Sequence, residues 1–231
     1  MRALSEADFL ALSEHGCTLH PLDIGLLAIH TASPEARSES IADWPLGRRN
    51  RALLELLSLA FGPTLRCWVA CPRCQEMLEF EVAAEALATT PLVEDNPTVV
   101  GARVFRLPTS RDVANIAGAE DADKAALQLA ERCLVSGESR LSYEDLDAIG
   151  ERMAGADPLA ETIFHFDCPE CGAVFDESLD LPEFVWAEVR GRANQLLRDV
   201  HTLASAYGWS EHEILALTPA RRESYVEMIR A

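Results

Sequence analysis

Two near-copies of one tetrapeptide, far apart along the chain, constrain this fold more than anything else in the sequence. They are Cys71-Pro72-Arg73-Cys74 and Cys168-Pro169-Glu170-Cys171, the second followed by Gly172. Two residues between thiolates let a tight turn aim both sulfurs, and the backbone amides beside them, at one tetrahedral ion. Pro after the first Cys presets the turn, and Gly172 can supply the positive φ that closes it. The flanks read as strands. After the first pair, Leu78, Phe80 and Val82 alternate with Glu79 and Glu81, and Leu65 to Ala70 leads in. Around the second, Thr162 to Phe166 leads in and Ala173-Val174-Phe175 leads out. Each half is a strand, a knuckle and a strand. Two such hairpins facing each other make a four-Cys zinc ribbon, here with a long insertion, Gln75 to Asp167, between the knuckles.

The predicted ligands of a structural Zn2+ are therefore Cys71, Cys74, Cys168 and Cys171. Three other readings compete. A thioredoxin-like redox pair belongs at a strand-to-helix junction of a βαβ unit, whereas both pairs here lie between strands. Two separate disulfides need an oxidising compartment, and seven cysteines in all make a poor disulfide framework. A vestigial site would hold no metal at all. Four thiolates leave no coordination position for water, so the ion is expected to do no chemistry. Cys17, Cys67 and Cys133 read as small buried hydrophobes; Cys67, on a strand, would point away from the knuckle. His165, close to the second pair, reads as a packed neighbour.

The formal net charge is -18, from 38 acidic against 20 basic residues, and such a surface repels phosphate backbones. No nucleic-acid partner is expected. Residues 119–161 hold eleven acids and four bases, the best place for a negative face that meets a basic partner. No apolar run reaches the roughly 18 residues of a membrane span, so no membrane partner is expected. The opening residues turn acidic at once, unlike a secretory signal, which predicts a cytoplasmic protein.

The rest of the chain reads as helix-rich α+β, with helices on both sides of the ribbon. Residues 1–62 form an N-terminal helical region. Ser5 to Asp8 resembles a capping box that opens a helix stopped by Gly16, and Pro21 opens a second. Thr31 to Asp43 reads as a mobile polar loop. Leu46, Leu53, Leu54, Leu57 and Ala60 share one side of a strong third helix that Phe61-Gly62-Pro63 ends. The split ribbon occupies residues 63–90 and 159–181. Between its halves, residues 91–158 read as a βααα module. Its parts are a strand from Val99 to Leu107, a helix capped by Ser110, a helix from Asp121 to Val135, and one capped by Ser142. Residues 182–231 form a C-terminal helical region. Its long helix, Glu183 to Tyr207, is stopped by Gly208, a capping box at Ser210 to Glu213 follows, and the last helix turns Tyr225, Met228 and Ile229 inward.

Nothing in the sequence reads as catalytic. The six histidines form no H-x-x-x-H pair, and no phosphate-cradling glycine loop or nucleophile elbow occurs. No catalytic residue and no small-molecule substrate are expected. A DNA-reading helix-turn-helix in the last segment lacks its basic stripe: residues 182–231 have six Arg against seven acids.

A string of short motifs occurs in a telling order. Leu46-Gly47-Arg48-Arg49-Asn50 and Leu59-Ala60-Phe61-Gly62 precede the first knuckle, and Phe105 to Ser110, Glu131-Arg132-Cys133 and Ala156-Asp157-Pro158 precede the second. Tyr207-Gly208-Trp209, Ile214-Leu215, Leu217 and Arg221 to Tyr225 follow it. The string resembles the baseplate hub assembly proteins of contractile-tailed phages and phage-like contractile injection systems, over most of the chain. The resemblance implies a non-enzymatic assembly chaperone or minor baseplate component, with hub or spike proteins of the same particle as partners and incorporation into that particle as one fate. Members of that family often carry the paired cysteines. A zinc-ribbon adaptor in transcription or RNA metabolism is the alternative, and it would need a basic patch at the knuckles, where Arg73 is the only base. An enzyme would need an open coordination position.

Overall fold

In the computed structural model, which describes residues 1–38, 41–89 and 97–230, helices dominate and short antiparallel sheets complete an α+β fold. The first helix, α1 (Glu6–Gly16), opens at the expected box: Ser5 Oγ accepts from Asp8 N–H while Asp8 accepts from Ser5 N–H. Then α2 (Pro21–Ala32) begins with Pro at its first position. The next segment is not the polar loop that its composition suggests. Two 3-10 turns, Pro34–Ser38 and Ile41–Asp43, carry Ile41 and Trp44 into the core. Residues 39 and 40, between these turns, lie outside the described residues.

The third helix, α3 (Leu46–Phe61), buries Leu53, Leu54, Leu56 and Leu57. The long helix α8 (Leu181–Tyr207) packs on α1, α2 and α3 through Leu181, Val185, Val189 and Leu196. The first 62 residues therefore share one core with a helix from the far end of the chain. This core also takes in Leu65, Cys67 and Val82 of the first hairpin, formed by β1 (Thr64–Ala70) and β2 (Met77–Ala83). A short helix, α4 (Ala84–Ala88), follows β2 directly; it was not expected from the sequence, because five residues are too few to show a period.

The insertion departs from βααα. Its single expected strand is two, β3 (Thr98–Val100) and β4 (Arg103–Phe105), because Gly101 and Ala102 turn the chain back on itself. After α5 (Ser110–Ile116) and α6 (Ala122–Cys133), the chain leaves the helix and forms β5 (Leu134–Ser136) on the free edge of β4. Helical periodicity carried the expectation on to Val135, but pairing with β4 outweighs it. Then α7 (Tyr143–Ala156) closes a separate small core of Phe105, Ala130, Cys133, Leu141 and Ile149. Among its described residues the module is ββααβα. The cap of α5 is Thr109, with Asp112 completing the box; Ser110 is instead the first helical residue and is fully buried. Residues 90–96, which span the end of the first ribbon segment and the start of the module, lie outside the described residues.

One carboxylate ties this module together. Asp112 is 1% exposed and accepts from Arg106, Arg132 and Thr109. Burial works to raise its pKa, but the bonds from Arg106 and Thr109 win and hold it at about 2. A depressed carboxylate stabilises the fold above its unfolded value near 4, and that contribution is lost as pH falls through about 2. Asp112→Asn is therefore expected to lower stability at neutral pH. Its deficit against the parent chain should shrink as pH falls from about 4 to about 2, measured by urea unfolding at a series of pH values. A deficit independent of pH would refute the charge argument.

The second hairpin, β6 (Ile163–Asp167) and β7 (Val174–Ser178), leads into α8. Beyond α8, α9 (Glu211–Leu215) and α10 (Pro219–Arg230) fold back to bury Ile214 and Val226 against Leu203. Here Tyr207 stacks on Trp209, and Tyr225 meets the Trp209 ring edge-on. Met228 and Ile229, expected inward, are 65% and 37% exposed; the buried stripe of α10 runs instead through Arg222 and Val226. Arg222 reaches Glu6 of α1, which Arg192 of α8 also bonds, so both chain ends are tied to α8.

Candidate metal centre

The two knuckles are the same structure made twice. In the first, Cys71 N–H donates to Glu76 O and Gln75 N–H to Cys71 O; in the second, Cys168 N–H donates to Ala173 O and Gly172 N–H to Cys168 O. Both loops turn through a left-handed residue right after the second Cys: Gln75 at φ 63° and Gly172 at φ 65°. Gln75 was not singled out in the sequence, although laying one tetrapeptide over the other would have found it. Its side chain donates to Cys71 O at 3.2 Å. At Gly172 a Cβ would meet nothing within 4 Å, so Gly172→Ala tests conformation alone. It is expected to cost about 1–2 kcal/mol, read as a lower midpoint in denaturant with metal bound.

The hairpins face each other through aromatic side chains. Phe80 of the first packs on Phe164 and Phe166 of the second at centroid distances of 5.3 and 4.9 Å, and Phe166 stacks on Phe175. This contact brings the knuckles together. Cys71 and Cys171 Sγ are 3.6 Å apart, as are Cys74 and Cys168 Sγ, and all four sulfurs lie within 4.8 Å of one another. An ideal tetrahedral site with metal–sulfur bonds of about 2.3 Å has sulfur edges of about 3.8 Å. The four sulfurs can hold one metal ion, and all four predicted residues meet there.

Electrostatics make the cluster ill at ease without a cation. Backbone N–H donors from Cys74 and Arg73 pull the Cys71 thiol down to about 6. At Cys74 the Glu76 N–H also favours the thiolate, but burial and the three neighbouring thiols prevail and push it up to about 12. Cys171, with the Ala173 N–H on its sulfur, is likewise raised by burial and its neighbours. One negative sulfur disfavours the next, and a divalent ion removes that conflict.

The other cysteines stay apart. Cys67 and Cys133 are buried, and burial pushes Cys133 up to about 11. Cys17 is exposed, contrary to expectation: it caps the end of α1, where its thiol donates to Glu14 O. His165 is not packed either. Its side chain is 78% exposed and pairs with Asp176 across the hairpin at 2.5 Å. Strand alternation explains this, since Phe164 and Phe166 take the inner face.

A second constellation, unseen in the sequence, joins three distant segments. The first turn of α3 has no side-chain cap of its own. Leu46 N–H donates instead to Pro108 O at 3.0 Å, and Gly47 N–H to Asp157 Oδ2 at 2.8 Å. Arg49 is buried with Asn50 and Ser110, and Asn50 Nδ2 donates to Leu159 O. Burial pulls the Arg49 guanidinium down to about 10 and raises Asp157, although the two attract each other. This junction docks the insertion on the helical core.

The chain matches no known protein family, no curated protein and no solved structure. Among the described residues, no helix is long and apolar enough to cross a membrane.

Proposed function

We propose that the chain is a zinc-ribbon protein without enzymatic activity. In this reading it serves the baseplate hub of a contractile phage tail or contractile injection system, as assembly chaperone or minor structural component. Thiolate-only tetrahedral sets suit zinc, and with four protein ligands the ion's role is structural. When bound it supplies cross-linking of two hairpins; binding and recognition belong to the protein surface.

One observation carries the assembly reading: the ordered motifs that resemble the hub assembly family, three of which meet at the α3 junction. Leu46 to Asn50, Phe105 to Ser110 and Ala156 to Pro158 supply Gly47, Arg49, Ser110 and Asp157 to it. Motifs with a shared structural task are expected to persist together. The charge supports a partner of opposite sign. Of the eleven acids in residues 119–161, nine are exposed, so the insertion presents a negative surface that would mask a basic hub until assembly. The test is co-purification of the chain with the hub and spike proteins encoded beside it, at low salt. A stoichiometric complex that dissolves as salt rises is the expected result. No complex with any of them at low salt would overturn the reading. Separately, one zinc per chain and a tetrahedral thiolate spectrum on cobalt substitution are expected.

A further inference from the structure

Tryptophans in this protein come with partners, except one. Arg48 lies 4.2 Å from the ring centre of Trp44, Arg190 lies 5.8 Å from that of Trp186, and Trp209 stacks on Tyr207 and meets Tyr225 edge-on. Trp68, on the outer face of β1, is 57% exposed, and among the described residues no cation or ring lies against it. It stands between two adjoining cavities of about 540 and 520 Å³ that share Trp68, Phe184 and Glu188. Phe80, Phe164 and Phe184 give the larger one an aromatic floor.

Its charge is one-sided. Glu177, Asp180, Glu183 and Glu188 line the larger cavity, and no Lys, Arg or His does. Asp180 is committed to capping α8. Among the described residues, no cation pairs with Glu177, Glu183 or Glu188. Arg66, in the smaller cavity, is paired with Glu81. Glu188 is half-buried beside the rings, where burial raises its carboxyl with nothing to oppose it. An indole face, an apolar floor and an uncompensated carboxylate are complementary to a cation on an aliphatic stem next to an apolar side chain.

We infer that this groove docks a basic, apolar segment of a partner protein, with a Lys or Arg over Trp68 and against Glu188 and the neighbouring apolar side chain on the phenylalanines. The inference goes beyond the baseplate reading and does not require it. Selection of random linear peptides on the folded, metal-loaded chain tests it. The expected peptides carry Lys or Arg beside an apolar residue and bind more weakly as salt rises. Trp68→Ala and Glu188→Gln should each weaken the selected peptide by at least about tenfold, with an unchanged thermal midpoint. If Trp68→Ala fails to fold, the exposed pair Glu177→Gln/Glu183→Gln gives the same reading through a reduced salt dependence. No enriched peptide, peptides without basic residues, or equal binding by the variants would overturn the proposal. So would a parent chain that self-associates through Trp68, seen by sedimentation, because the face would then belong to a second copy. Peptide binding without any hub complex would sink the baseplate reading and leave the groove standing; the reverse result would do the opposite.

Discussion

Cys168→Ser is expected to leave no soluble folded chain, and removal of metal from the parent by a strong chelator to act the same way. Each hairpin is two-stranded, and such hairpins have little stability of their own in water. Their mutual contact is a handful of half-buried phenylalanines. Structural zinc contributes on the order of 10–16 kcal/mol to folding in small sites, as much as or more than the net stability of a whole domain, about 5–15 kcal/mol. Loss of one thiolate opens the coordination shell and frees the hairpins. The damage spreads, because Leu65, Cys67 and Val82 of the first hairpin belong to the helical core. Soluble yield, helicity by circular dichroism and the thermal midpoint read the outcome. Cys17→Ser, at an exposed position outside the cluster, is the control and should leave all three unchanged. A Cys168→Ser chain with parental helicity and midpoint would make the metal dispensable.

Gly47→Ala should be the most damaging methyl added at any of the glycines. A Cβ there would lie 1.7 Å from Asp157 Oδ1 and 2.6 Å from its Cγ. Asp157 is 2% exposed and cannot swing into solvent without leaving the Gly47 N–H it accepts from. Overpacking costs about 1–3 kcal/mol, and loss of a hydrogen bond to a buried charge adds about 1.5–3 kcal/mol. A total of about 2.5–6 kcal/mol is expected from these two effects, read as a lower urea midpoint. The mechanism has its own check. In an Asp157→Gly background the same methyl meets no carboxylate, so most of its cost should vanish in a double-mutant cycle. Additive effects would show that the methyl acts on something other than Asp157.

The four clustered cysteines were legible because the chemistry that brings such pairs together is local. Both knuckles turn within five residues, and Cys, Pro and Gly at those positions announce a turn that aims sulfur. The capping boxes at Ser5 and Ser210 and the cap at Ser142 were legible for the same reason. Legibility ended where a neighbour distant in sequence competes. Leu134 and Val135 continue a helical period, yet the open edge of β4 captures them. Residue type alone places Cys17, His165 and Met228 in the interior, yet all three are exposed. Facing depends on which side of an element finds a partner, and one element's sequence does not carry that.

The chain's own residues dictated two strand-turn-strand units, each with a pair of sulfurs, and where most of the helices around them begin. Those choices depend on backbone preferences and contacts a few residues apart, which any stretch of chain carries with it. Tertiary structure decided how the parts meet. The head of α3 takes its hydrogen-bond acceptors from Pro108 and Asp157, and Trp68 ends beside Glu188 across a groove floored by phenylalanines. Both depend on surfaces that exist only after distant segments pack, because a buried N–H or an apolar face takes whichever partner the folded chain brings near.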